Sequence, residues 1–276
     1  MRASMNRYCY FFIMLLAIGN FSQAMAQTES DWQISDENNA ALIDHAAWQA
    51  LLDDYLLVAE NNGVNLFSYG KVSKESKRQL QNYLEKMQAI DPKKFNKQEQ
   101  KAYWINLYNA LTVQLILDNY PVKSITSLGG SIFSFGPWGD DAAKVNGVTL
   151  SLNDIEHKIL RPIYKDPLIH YAVNCASYSC PNLAAKAFTS HNINEQLTKG
   201  AGDYVNHPRA AKFDDGDLVV SSIYHWYKED FGGNDQSLIE HLKKYAKPEL
   251  KAKLIEFAKN SGDLDHDYNW QLNEAK

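Results

Sequence analysis

Cysteine is scarce in this sequence, with three among 276 residues. A small scaffold stapled by disulfides needs several pairs, so that architecture is excluded. No stretch reaches the roughly 20 apolar residues that cross a bilayer, so stable membrane insertion is not expected. A basic surplus is also missing. Lys and Arg number 28 against 33 Asp and Glu, for a formal net charge of -5. Nucleic-acid binders carry the opposite balance, so nucleic acid is not an expected partner. Gly-x-Gly-x-x-Gly, a phosphate loop ending in Gly-Lys-Ser/Thr, Gly-x-Ser-x-Gly and His-Glu-x-x-His are all absent. No cofactor and no metal are therefore expected. Internal repeats and low-complexity linkers are absent too.

What is present is a globular composition, 45% hydrophobic and 12% aromatic, enough apolar material for a packed core. The first 26 residues read as a secretory signal peptide. Arg2 and Arg7 form the basic start, Tyr8 to Gly19 the apolar stretch, and Ala24-Met25-Ala26 a small-x-small cleavage site. The apolar stretch is about a dozen residues, the length of a signal core. The expectation is a periplasmic or secreted protein beginning at Gln27, with only Cys175 and Cys180 left in an oxidising compartment.

The periodicity predicts one helix-rich α+β domain with a small sheet over residues 39–260. A flexible stretch at 27–38 precedes it and a polar tail at 261–276 follows. Apolar residues at helical spacing predict helices over 40–60, 73–90 and 96–117, the last apolar nearly all round and hence central. Asn146-Gly147 and Asp214-Asp215-Gly216 predict hairpins at 145–148 and 213–220. Ser151 and Asp154 form a capping pair for a helix ending before Pro162. Residues 168–173 alternate and predict a strand. Helices are expected over 192–205 and within 235–260, with a helix or tight turn over 222–231.

The chemistry concentrates between Asp166 and Pro181. A turn rich in small polar residues after a strand can present a nucleophile, with backbone N–H groups converging as an oxyanion hole. Cys175 and Cys180 are the candidate nucleophiles. They could equally close a disulfide across the short loop, or bind a metal. His157 is the candidate base, since a thiol nucleophile needs a base within hydrogen-bond reach. Its neighbour Glu156 is a candidate substrate contact. On a regular strand His170 and Cys175 point to opposite faces, which makes His170 a second choice. Asn106 and Asn109 share one face of the central helix and are candidates to orient the histidine or line the pocket. Asn174, Ser177 and Ser179 complete the candidate binding residues.

Four ordered motifs carry a resemblance. They are Trp104-Ile105-Asn106-Leu107-Tyr108-Asn109-Ala110, Ile155-Glu156-His157, the Ile169 to Pro181 segment with Asn174-Cys175-Ala176-Ser177 and Ser179-Cys180-Pro181, and Trp226-Tyr227-x-x-Asp230-Phe231. Over about 97–232 the chain resembles Domain of Unknown Function family 547, which implies no settled activity. Relatives carry arginine where this chain has Leu168, so an anion-binding role there is not carried over.

The residues lead to a cysteine-dependent acyl-transfer enzyme acting on an amide, thioester or γ-glutamyl-type bond. Its substrate is expected to be a small peptide or envelope component. A permuted papain-like core would suit the histidine-before-cysteine order. The alternative is a non-catalytic envelope binding domain closed by a Cys175–Cys180 disulfide. The oligomeric state is not encoded in any motif. Export gives a direct test: protein released by osmotic shock should begin at Gln27, and finding Cys9 in it by mass spectrometry would refute cleavage at Ala26.

Overall fold

The computed structural model describes residues 32–60, 63–129, 136–260, 262 and 264–275. The expected signal peptide, its cleavage site and Cys9 lie outside the described residues. The fold is α+β, helix-rich with small sheets.

Helix α1 (Ala46–Tyr55) is followed by β1 (Leu56–Leu57) and β2 (Leu66–Phe67), which pair antiparallel. Then come α2 (Lys74–Ala89) and α3 (Lys97–Asn119). The first helix starts later than its periodicity predicts. The Ile43 N–H is held by the buried Glu99 carboxylate at 2.8 Å, and Asp44 accepts the Ala46 N–H at 2.9 Å. Those side-chain acceptors replace an earlier helical turn. Helices α2 and α3 begin where expected because Ser73 and Asn96 accept the N–H groups of Ser76 and Glu99.

Helix α3 is the axis of the main core, with Ala102, Tyr103, Trp104, Ile105, Leu107 and Ile116 fully buried. A hairpin of β3 (Asp141–Val145) and β4 (Val148–Ser151) packs against α2, where the Lys144 N–H donates to Gln88 Oε1 at 2.7 Å. Asn146 and Gly147 have φ of 48° and 82°, the pair of positive angles a type I′ turn requires.

Next, Asp154–Leu160 forms a wide π-helical turn that continues as α4 (Arg161–Tyr164). The expected stop before Pro162 does not occur. Pro162 falls in the first turn of a new α segment, where a missing N–H costs nothing. Residues Pro167–Tyr171 are a 3-10 helix, not the expected strand. Asp166 accepts the Leu168 N–H at 2.9 Å and Pro167 opens the turn. Alternation alone could not reveal that no partner strand lies alongside.

The second core gathers α5 (Ile193–Val205), a hairpin of β5 (Ala211–Asp214) and β6 (Asp217–Ser221), and α6 (Ser222–Trp226). Helices α7 (Asp235–Tyr245) and α8 (Pro248–Asn260) complete it.

Both chain ends of the domain are more integrated than their polarity suggests. Trp32 is buried edge-on against Trp104, with ring centroids 5.1 Å apart. The Asp36 N–H donates to the Phe95 carbonyl. Trp32 thus anchors this stretch to the core, while the residues after it are mostly exposed. At the other end β7 (Leu264–Asp267) adds parallel to β6. Beyond it the Asn273 carbonyl accepts the Phe67 N–H, and the Ala275 N–H donates back to Phe67. The polar tail is thus a structural strap. Its polar groups are main-chain partners, which composition does not distinguish from solvated ones.

Leu107 and Leu111 are buried, whereas Leu115 is only partly so. Leu107→Ala should destabilise the fold by about 2–5 kcal/mol in equilibrium denaturation, the range for a truncated core leucine. A change below about 0.5 kcal/mol would show that α3 is not the central support.

Candidate active site

The reactive loop is built from α3 outwards. Asn109 donates its amide to the Ala172 carbonyl at 2.8 Å and accepts the Asn174 N–H at 2.8 Å. Asn106 makes the same two-sided clamp on Phe188. Both asparagines hold backbone and neither touches a histidine, so their role is to position loops. Asn174 in turn accepts the Ala176 N–H and donates to the Pro181 carbonyl. That draws the loop ends together and holds Ala176 at φ 59°, an angle rare outside glycine.

The tail closes the other side. Tyr178 and Ser179 donate their N–H groups to the Gln271 and Asn269 carbonyls, and the Asn269 N–H returns to Ser179 Oγ at 2.8 Å. The Cys180 N–H goes to the Ser177 carbonyl and the Cys175 N–H to Cys180 Sγ. The Ser177 N–H points at the Cys175 sulfur. Every N–H from Asn174 to Cys180 thus has a partner, and the expected oxyanion hole of loop amides is not formed.

Cys175 and Cys180 are free thiols whose sulfurs lie 3.1 Å apart. A disulfide would bring them to about 2 Å. Cys175 is half-buried and Cys180 buried. The hydrogen bond from Cys180 lowers the Cys175 thiol to about 7. Burial opposes this, and Ser177 and Tyr268 assist it. Their hydroxyls each lie 3.2 Å from the sulfur and 2.7 Å from one another. Burial pushes the Cys180 thiol upward. Cys175 is therefore the thiol that ionises first, with Cys180 kept as the protonated donor.

Cys175 and Cys180 open into a cavity of about 440 Å³. Glu156 and His170 stand on its lining too. The π-helical turn buries the Glu156 side chain, and the Tyr227 hydroxyl hydrogen-bonds to it. His170 stacks on Tyr227 with centroids 4.3 Å apart. Its Nε2 lies 2.6 Å from Asp230 Oδ2, and Arg161 Nε donates to the same oxygen at 2.5 Å. Burial would raise the Asp230 carboxyl, but these two donors hold it far below the usual range. Asp230 is therefore ionised and can only accept. His170 carries its proton on Nε2, leaving Nδ1 3.9 Å from Glu156 Oε1.

His157 is elsewhere. It lines a neighbouring cavity with Arg161 and Asp230. Its Nδ1 accepts from Arg161 Nη1 at 3.2 Å, and burial lowers its pKa. Its Nδ1 still lies 4.0 Å from Glu156 Oε1, so Glu156 stands between the two histidines while only His170 faces the cysteines' cavity. Of the two candidate histidines, His170 thus shares the cavity lining with Cys175, and His157 does not. The strand reading had set His170 on the far face; the 3-10 turn swings it onto the cavity lining. Among the described residues, no three His, Cys, Asp or Glu side chains gather as metal ligands.

Sequence reasoning missed Tyr108, Tyr227, Asp230, Tyr268 and Trp270 as site residues. Asp230 and Tyr227 sat in a recognised motif, and Tyr268 and Trp270 are the aromatic exceptions in a polar tail.

Residues 92–205 match the model of a family described as "Protein of unknown function, DUF547". Over that segment the chain is similar to this family. The matched segment holds Glu156, both histidines and both cysteines, whereas Asp230, Tyr227 and Tyr268 of the same site lie beyond it. No curated protein and no solved structure matches the chain.

Iodoacetamide labelling of the reduced protein, followed by pH and peptide mapping, should show Cys175 reacting with a midpoint near 7. Cys180→Ser and Tyr268→Phe should each move the midpoint upward, toward the roughly 8.5 of an unassisted thiol. An unshifted midpoint in both variants would mean the sulfur's neighbours do not set its acidity.

Proposed function

We propose that the protein is a cysteine-dependent acyl-transfer enzyme working outside the cytoplasm, on a small peptide or envelope component. The observation that carries this reading is the acidified Cys175 thiol opening into one cavity with the Asp230-oriented His170. The thiolate would attack the substrate carbonyl carbon, forming a C–S bond as the C–N, C–O or C–S bond to the leaving group breaks. His170 would deliver a proton through Nδ1 to that group, keeping its Nε2–H on Asp230. Water or an amine would then attack the thioester, pass a proton to Nδ1 and release Cys175 as thiolate. Because the loop amides are occupied, the oxyanion needs side-chain donors. The hydroxyls of Tyr108 and Tyr268 are the candidates on the cavity lining.

A second reading rests on the sulfur pair itself. An acidic half-buried thiol 3.1 Å from a buried protonated one suits thiol–disulfide exchange, with Cys175 attacking and Cys180 resolving.

p-Nitrophenyl acetate separates the two. Acyl transfer predicts an acetyl adduct on Cys175 by intact mass and none in Cys175→Ala. His170→Gln should keep the acylation step, since nitrophenolate needs no proton, and slow deacylation by about 100-fold, the scale of a lost general base. His157→Gln should change turnover less than tenfold. Cys180→Ser should retain acylation under the first reading, though at higher pH. If Cys175 never acylates while the pair cycles against glutathione, the second reading replaces the first.

A further inference from the structure

We propose that this cavity accepts an organic cation, so that the substrate presents an ammonium group to it. The proposal deepens the acyl-transfer reading, on which it rests for the identity of the bound molecule as substrate.

Among the described residues the walls carry three tryptophans and three tyrosines, and no lysine or arginine. Trp226 is the outermost, 45% exposed despite its size. It stacks on Trp270 with centroids 5.4 Å apart at 24°, and lies 4.8 Å from Tyr268. An exposed tryptophan held in place by other rings is a preformed platform rather than a core residue. Aromatic faces attract cations through their quadrupole and give little to anions.

The charges agree with the rings. The lining carboxylate is Glu156, which is buried. Cys175 adds a thiolate above about pH 7. Arg161 sits 4.9 Å from the Tyr227 ring centroid, but its charge is taken up by Asp230 and it faces the neighbouring cavity. His170 lies between Glu156 and Asp230, two carboxylates. An anionic ligand would meet Glu156 and the thiolate, and any charge on His170 is already matched by the two carboxylates that flank it. A cation would meet aromatic faces and a buried carboxylate, which together compensate its lost hydration. The volume, about 440 Å³, suits a small molecule or the end of a larger chain.

Choline and 3,3-dimethyl-1-butanol have nearly the same shape and differ in charge, so they isolate this term. Titrating the full chain by tryptophan fluorescence at constant ionic strength should give choline at least tenfold tighter binding than the alcohol. Trp226→Leu and Glu156→Gln, with folding checked by circular dichroism, should each weaken choline about tenfold and leave the alcohol nearly unchanged. Cys175→Ala should bind choline like the parent at pH 6, where the thiol is mostly protonated. Equal affinity for the two compounds, or no binding of choline, overturns the proposal. Selective choline binding by a protein whose Cys175 never acylates would instead sink the acyl-transfer reading alone. Acylation without choline selectivity would sink only the cation.

Discussion

Two buried amides on one helix decide where the reactive loop can be. A buried asparagine is tolerable only if its carbonyl and NH₂ both find partners. Asn109 meets that demand with the backbone on either side of Val173, and Asn106 with Phe188. Glu99, Gln100 and Lys101 tie the first turns of the central helix to other loops, and in its apolar second half these two asparagines are the attachments to the loops around the cysteines. Removing either would leave the buried backbone groups it pairs without a partner. The position of Cys175 is thus set from within the core, not by the surface chain around it.

The electrostatic design is divided between two walls. At one wall the thiolate is stabilised by hydrogen-bond donors alone: a thiol, two hydroxyls and one amide. No histidine touches the sulfur, so its acidity does not depend on an imidazolium. At the other wall a single carboxylate oxygen accepts from both His170 and Arg161. That bond fixes the histidine's tautomer and turns its second nitrogen toward Glu156. The two walls meet only through whatever occupies the cavity. Under the proposed acyl-transfer reading, the substrate would be what connects Cys175 to His170, as in sites that tighten only when loaded.

Much of this was legible in the sequence, and the failures have physical causes. The central helix, both hairpins and the two cysteines follow from periodicity, turn chemistry and composition. The Ile169 to Val173 stretch misled because strand formers alternate there. Asp166 and Pro167 start a tight helical turn instead. Local preference lost to tertiary context. That one error moved His170 to the wrong face and promoted His157. The tail misled in the opposite way. Asn269, Gln271 and Asn273 are polar, but their backbones pair with the loop and with β2. Pairing across 90 residues or more leaves no local signal.

The tail also explains why the matched family segment cannot contain the whole site. Residues 92–205 supply the thiols, Glu156 and His170. Left alone, they would lack Asp230, which orients the histidine, and Tyr268, which donates to the thiolate. They would also lack Gln271 and Asn269, whose carbonyls occupy two of the loop's N–H groups. Those carbonyls constrain the loop most directly. With them present, Tyr178 and Ser179 turn their amides away from the sulfur, and only the Ser177 amide reaches it. The last turns of the chain therefore help determine which donors the nucleophile sees, and the acidity of Cys175 is a property of the closed domain rather than of its cysteine motif.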